Sequence, residues 1–365
     1  MLLVNAGEFG QAVKLASKLL GSSQQKNSNE FIQIKPENDA LLVGALDKQH
    51  SVWTKVEAKG AVAGEHFGVP ALLKQLITTM PQDDIDIEFD NKFVRFFFGP
   101  SSEAQLAIAR DLPSAFEITG VDWHTSFIPA EELRRGLGVM YAAATENFRG
   151  VVANILLDSA DGKLRFVATD GHRAAVELTS GEALVTPVLI PRQVAAFMRA
   201  LLPKEGTVAL RQNGNYQVAV DVGNIRYTGL CAVWSEYVKY QRFLEMKAKA
   251  AFVVKRHELL DALYRMIIIA RGETHRKVTL IPSEGVLQLT VNTGTDAATE
   301  TLAIENFSYA DDTFIVDGVS LNAKYLYEAL ENLTHDKVLV RLTDKYMPLL
   351  LHGVDSRAVV ATLKV

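Results

Sequence analysis

Apolar positions along the chain follow two rhythms, and the order in which these rhythms alternate repeats. In three segments apolar residues recur every three or four positions: AGEFGQAVKLASKLL (6–20), PAEELRRGLGVMYAAA (129–144) and KRHELLDALYRMIIIA (255–270). That spacing lines one face of a helix. Each segment has a glutamate in its first turn, Glu8, Glu132 and Glu258, where the helix dipole favours an acid. Each is followed by runs in which apolar and polar residues alternate on either side of a turn: FIQIKPENDALLVGALDKQ, NILLDSADGKLRFVATDGH and VTLIPSEGVLQLTVNTGT. A period of two predicts β-hairpins. Leu41, Leu164 and Leu287 hold equivalent places in these hairpins, at a constant step of 123 residues.

A second helix is predicted after each hairpin, at 69–80, 190–202 and 321–333. Pro70 and Pro191 fall at the opening turn of the first two, where a missing N–H costs nothing. Asn322 suits the N-cap of the third. Another hairpin pattern follows in every copy, and in the middle copy Asn213-Gly214 signals a two-residue turn. The expected unit is helix, strands, helix, strands, about 120 residues long. An α+β fold of three lobes is expected, at 1–121, 122–247 and 248–365, each with two helices packed on antiparallel sheet.

Composition narrows the reading. Hydrophobic residues form 48% of the 365 and charged residues 22%, enough apolar material for several cores, which excludes a disordered chain. The single cysteine, Cys231, excludes an internal disulfide and a zinc site built on several thiolates; no metal or cofactor is expected. The start MLLVNAGEFGQAV has no basic segment before a long apolar run, and no uncharged apolar run reaches the ~18 residues of a membrane span. A cytoplasmic protein with no membrane partner is expected.

The net charge is −5, yet its distribution is uneven. The six predicted helices together carry +5, which leaves −10 for the rest. Lys14, Lys18, Lys74, Arg135, Arg192, Arg199, Arg265 and Arg271 are the main cations of the helices, and Arg149 follows the third. Cationic helices beside acidic sheets suit a surface that meets nucleic-acid phosphates without reading bases.

The segment LRFVATDGHRAAVEL (164–178) reads as a hairpin turning at Asp170-Gly171, a pair suited to a type I′ turn. Its Thr169-Asp170-Gly171-His172-Arg173 run closely resembles the T-D-G-H-R segment of the middle domain in the bacterial DNA polymerase III beta subunit, the sliding-clamp family. ATENFRGVVANILL (144–157) resembles the family's stretch before that hairpin, and SLNAKYLYEAL (320–330) resembles its third-domain helix start. The resemblance covers the second and third repeats and is weaker in the first. It implies a head-to-tail homodimer, a six-lobed ring around double-stranded DNA with helices inside. It implies no catalysis, but tethering of the replicative DNA polymerase, the clamp loader and other proteins that dock a short peptide between the second and third domains.

Carried over by position, that resemblance implies a peptide pocket at Val152, Thr169, Gly171, His172, Arg173 and Ala174. The connector adds Val238, Arg242 and Phe243; the third repeat adds Asn322, Tyr325, Tyr346, Pro348, Val359, Val360 and Leu363. The dimer contact is expected between Ala104, Leu106 and Ile108 in the first repeat and Ile269 and Ala270 in the third. The chain departs from the family at its end, Ala361-Thr362-Leu363-Lys364-Val365, where a methionine-proline-methionine-arginine-leucine tail is usual. It departs again in the second connector, Trp234-Ser235-Glu236-Tyr237-Val238, where a glycine and an aromatic-proline pair are usual, and at His275, where an aromatic is common.

Three other functions stand as alternatives. A hydrolase could use Asp170 and His172, but these flank a tight turn and no serine or cysteine occupies a nucleophile elbow. A sequence-specific DNA-binding protein would need a base-reading element, and none is evident. A clamp-like scaffold that does not close into a ring shares every pattern above and differs only in assembly.

Overall fold

The computed structural model describes residues 1–22, 31–80, 83–99, 101–112, 122–145, 150–182, 184, 186–233, 236–309 and 318–363. Its helices are α1 (Ala6–Ser22), α2 (Leu73–Ile77), α3 (Ala130–Gly138), α4 (Arg192–Leu201), α5 (Gln241–Leu244), α6 (Arg256–Ile269) and α7 (Ala323–Glu331). Five of the six expected long helices are present close to their expected places. The expected helix over 69–80 shrinks to α2, because Phe67–Pro70 is instead a strand paired with Phe31–Glu37. The third helix ends at Gly138 and continues as a 3-10 turn, Val139–Ala142; the glycines at 136 and 138 weaken the α-form there. Pro191 stands one residue outside α4 in an extended conformation. Asn322 caps α7, its side chain accepting from the Lys324 and Tyr325 N–H groups at 2.9 and 3.3 Å. Among the described residues no helix is long and apolar enough to cross a membrane.

The repeat is visible in the turns. Two-residue turns join paired strands at 38–39, 161–162 and 284–285, each 123 residues after the last. Asp39, Asp161, Gly162 and Gly285 take positive φ in them. Leu41, Leu164 and Leu287 lie buried just past these turns. Two other turns differ from expectation. Asn213 pairs with Gln217, so the turn there has three residues rather than two. At the 170–173 tip only Gly171 has positive φ, whereas a type I′ turn needs two such residues.

The chain forms two compact units, residues 1–127 with 207–231, and residues 128–206 with 232–365. They cut across the expected lobes because strands join neighbouring repeats. In the first unit the middle repeat's last strand, Ile225–Leu230, pairs with the first repeat's long strand, His50–Lys59. In the second unit the last repeat's last strand, Ser356–Val360, pairs with the middle repeat's long strand, Arg173–Glu182.

Each unit carries the same eight-strand order. In the first it runs Phe67–Pro70, Phe31–Glu37, Ala40–Leu46, His50–Lys59, Leu2–Asn5, Asp84–Phe89, Phe93–Phe97, Glu103–Ala107. In the second it runs Val319–Asn322, Lys277–Ser283, Val286–Asn292, Ala297–Tyr309, Ala250–Lys255, Lys337–Leu342, Leu349–His352, Ser356–Val360. Neighbours are antiparallel throughout. The second unit's sheet then continues through Arg173–Glu182, Lys163–Thr169 and Asn154–Ala160 to Val188–Pro191. Its core gathers Phe252, Leu259, Leu263, Met266, Leu326, Leu330 and Val360 between sheet and helices.

Candidate functional site

Most of the residues expected to bind peptide lie in the second unit, around the tip that joins Lys163–Thr169 to Arg173–Glu182. The local sequence closes that tip. The Asp170 carboxylate accepts from the His172 and Arg173 N–H groups at 2.9 and 3.0 Å, and the Thr169 hydroxyl donates to the Arg173 carbonyl at 2.7 Å. Gly171 turns the chain at φ +89°, where a side chain would be strained. Asp170 is thus occupied by its own turn, and His172 faces the Tyr325 ring at 6.3 Å; no acid–histidine catalytic pair forms.

Strand pairing brings the chain's end to this tip. Arg173 lies opposite Val360 and Ala174 opposite Val359. The tail continues across it, the Ala361 N–H donating to the His172 carbonyl at 2.8 Å and the Leu363 N–H to the Ser320 carbonyl at 2.7 Å. Asn322 and Tyr325 arrive with the start of α7. Alternation divides the expected pocket between two faces. Val360 is fully buried in the core among the helices, so it is a packing residue of that core. Ala174 and Val359 lie on the opposite face.

That opposite face continues as a row of apolar side chains, Leu189, Leu156, Val167 and Val176, each paired across to the next strand. Tyr237 and Tyr240 of the connector bury it, with Val238 and Leu244 packed alongside. The Tyr237 hydroxyl donates to the Asn154 carbonyl at 3.3 Å. The Arg165 guanidinium lies 5.6 Å over Tyr240 and is fixed by Asp158 at 2.8 and 2.7 Å. Burial pushes the Tyr240 hydroxyl up to about 12. Val238 therefore helps strap the sheet. The short helix α5, with exposed Arg242 stacked 4.6 Å over Phe243, packs against Ser356–Val360. Pro348 leads into Leu349, which pairs with Val360, and Tyr346 stands exposed before it. Val152 sits in a 3-10 turn, and its carbonyl accepts from the Ala144 N–H.

Arg173 is the most heavily engaged side chain of the group. It bonds Asp170 at 3.1 Å and forms a short ion pair with Glu328 of α7. Its guanidinium lies 4.4 Å over the Tyr325 ring and 5.6 Å over Tyr141. Only 11% of the side chain is exposed. Neither Glu328 nor Tyr141 stands out in the sequence. Glu328 lies 155 residues from its partner, and no local pattern points to the pairing.

On the helix side of the same strands a small open cleft is lined by Arg135, Tyr141, Glu177, Asn332 and Ser356. The buried Glu177 carboxylate accepts from Arg135 at 2.8 Å and from the Ser356 hydroxyl. Arg135 is thereby committed to the protein. Arg265 is committed likewise, gripped by Glu300 through two bonds of 2.6 Å. Arg199 is half-buried and donates to the Arg134 carbonyl at 3.2 Å; burial, then the Arg134 charge, lowers its pKa. Lys14, Lys18, Lys74 and Arg271 are exposed, and Arg192 is half-exposed. Arg149 lies outside the described residues.

At the expected dimer contact, Ala104, Leu106 and Ile108 are partly exposed along and just beyond the strand Glu103–Ala107, which ends the first unit's sheet. In the third repeat Ala270 is fully buried in the core, and Ile269 packs against it. The exposed apolar residues of α6 are instead Tyr264 and Ile268, at 58% and 54%. They sit four apart and so share a helix face. Among the described residues no group of three or more histidine, cysteine, aspartate or glutamate side chains is placed to hold a metal ion.

Residues 241–364 match the family model for the C-terminal domain of the DNA polymerase III beta subunit. The beta sliding clamp of Synechocystis sp. is 21% identical over 96% of this chain and 94% of its own length. That of Pseudomonas aeruginosa is 26% identical over 88% and 87%. A crystal structure of the DNA polymerase III subunit beta from P. aeruginosa superposes with a TM-score of 0.89 at 23% identity, covering 100% of both chains. The Bacillus subtilis DNA polymerase sliding clamp gives 0.89 at 16%, covering 100% of this chain and 99% of its own.

Proposed function

We infer the function from family: this chain is a divergent member of the DNA polymerase III beta subunit, or beta sliding clamp, family. It is a non-catalytic processivity factor that encircles duplex DNA and tethers the replicative polymerase to it. Three lobes, 1–121, 122–247 and 248–365, supply half of a six-lobed ring, and a second copy supplies the rest.

One observation carries ring closure. Twice within the chain, the last strand of one repeat pairs with the long strand of the repeat before it: Ile225–Leu230 with His50–Lys59, and Ser356–Val360 with Arg173–Glu182. One last strand and one long strand remain. Glu103–Ala107 ends its sheet. The long strand Ala297–Tyr309 pairs through 297–303 with Val286–Asn292 on one side, and only from 304 onward with Ala250–Lys255 on the other. Its 297–303 stretch is therefore open on that second side among the described residues. Pairing Glu103–Ala107 of one copy with this stretch of the next repeats the same junction between copies. A head-to-tail contact of this kind closes when two copies complete the ring, and it removes both open edges. Ala104, Leu106 and Ile108 meet the neighbourhood of Ile269 on the partner, with Tyr264 and Ile268 taking the place of buried Ala270.

DNA passes the helices and meets Lys14, Lys18, Lys74, Arg192 and Arg271 as nonspecific phosphate contacts. Arg149 belongs to the same set, and Arg199 contributes what its backbone bond leaves free. Arg135 and Arg265 act mainly in holding the fold. The polymerase, the clamp loader and other partners dock peptides at the Thr169–Ala174 tip, among Val152, Val238, Arg242, Phe243, Asn322, Tyr325, Tyr346, Pro348, Val359 and Leu363. DNA encirclement puts the protein in the cytoplasm, on the nucleoid.

Solution mass tests closure. The chain is 40.1 kDa, and sedimentation at micromolar concentration should give a particle of twice that mass. Ile268→Asp should halve it while leaving the circular dichroism spectrum unchanged. A wild-type monomer would instead indicate a clamp-like scaffold with open edges.

A further inference from the structure

We propose that Glu328 determines which peptides the Thr169–Ala174 tip accepts: by pairing with the Arg173 guanidinium, which also lies over the Tyr325 and Tyr141 rings, it offsets the cation of the turn itself and favours peptides that are neutral beside their apolar anchors. The proposal deepens the clamp reading and rests on it. A guanidinium offers five N–H donors in one plane. Here Asp170 takes Nε and Glu328 takes Nη1. The Tyr325 ring covers one face at 4.4 Å. Arg173, Asp170 and Glu328 together carry one net negative charge. Lys324, 3.6 Å from Glu328 but half exposed, offsets that charge only through solvent. An acidic peptide side chain at this point meets two carboxylates and a cation that is already bonded. A neutral side chain meets no such opposition. Were Glu328 uncharged, Arg173, Asp170 and residue 328 would together carry no net charge and one more Nη1 N–H would be released, so a peptide carboxylate could take a charge-assisted bond there without opposition.

The test uses the full-length protein and two synthetic nine-residue peptides sharing a Leu-Phe pair and differing only in Gln or Glu beside it. Calorimetry gives both dissociation constants. Wild type should bind the Gln peptide more tightly. Glu328→Gln should shift the Glu-to-Gln affinity ratio toward the Glu peptide by on the order of tenfold. The double variant Arg173→Gln/Glu328→Gln should lose that gain. Arg173→Gln alone leaves two unneutralised carboxylates and should reject the Glu peptide more sharply than wild type, which keeps the test open if Glu328→Gln does not fold. An unchanged ratio, or equal weakening of both peptides, would make Glu328 merely structural. If wild type bound neither peptide, the placing of the peptide site at the Thr169–Ala174 tip would fall, and this proposal with it.

Discussion

Gly136 sits where α3 presses on the sheet. A Cβ built there would lie 2.4 and 2.5 Å from the Phe166 ring, which is fully buried and has nowhere to move. Helix propensity alone would favour alanine at this site by about 1 kcal/mol. Overpacking against a fixed ring costs more, about 1–3 kcal/mol, so the clash should win. Gly136→Ala should lower the unfolding free energy measured in urea by up to about 2 kcal/mol. A midpoint that rises would show that the α3–sheet contact is looser than described. At Gly10 the approach is a single one, the Ile77 Cγ2 methyl at 2.9 Å, so the same change is cheaper there. At this scale the sequence shows which residue types are present but not which are already engaged. Arg135 and Arg265 read as free cations because their partners, Glu177 and Glu300, lie on distant strands. Ala270 read as an interface residue because the helix ends in a 3-10 turn, which reorients the last positions.

At the scale of elements the periodicity was informative wherever packing agreed with it. Helix α1 buries Phe9, Val13, Ala16 and Leu20 and exposes Gln11, Lys14 and Lys18, so its apolar pattern alone locates both faces. The second helix of the first repeat departs from expectation because Val69 and Pro70 satisfy a strand as well as a helix start, and pairing with Phe31–Glu37 decides between them. The 170–173 tip was legible as a turn but not as to type, since the Asp170 carboxylate takes the Arg173 N–H in place of the Asp170 carbonyl, while the Asp170 N–H still donates to the Arg173 carbonyl at 3.3 Å. The exposed lysines of α1 carry a prediction. Each phosphate that a lysine no longer neutralises should flatten the salt dependence of DNA affinity, log K against log salt, by about 0.9. Lys14→Glu/Lys18→Glu should therefore give a shallower slope than wild type, with the protein still dimeric. An unchanged slope would remove α1 from the DNA-facing surface.

For the whole molecule, the threefold repeat was readable because its two-residue turns recur at a fixed step of 123. The two compact units were not, because they depend on pairing between strands more than 170 residues apart. That pairing rule also supplies the reason for expecting a second copy: it leaves one last strand and one stretch of long strand unpaired among the described residues. The central claim is that two copies close around DNA and hold it by topology rather than by affinity. It is tested most directly by loading the protein on nicked circular DNA, washing at high salt, and then cutting the circle once. The account predicts retention on the circle and release within the time needed to slide off the new ends. Equal retention before and after the cut would mean that the protein binds DNA without encircling it.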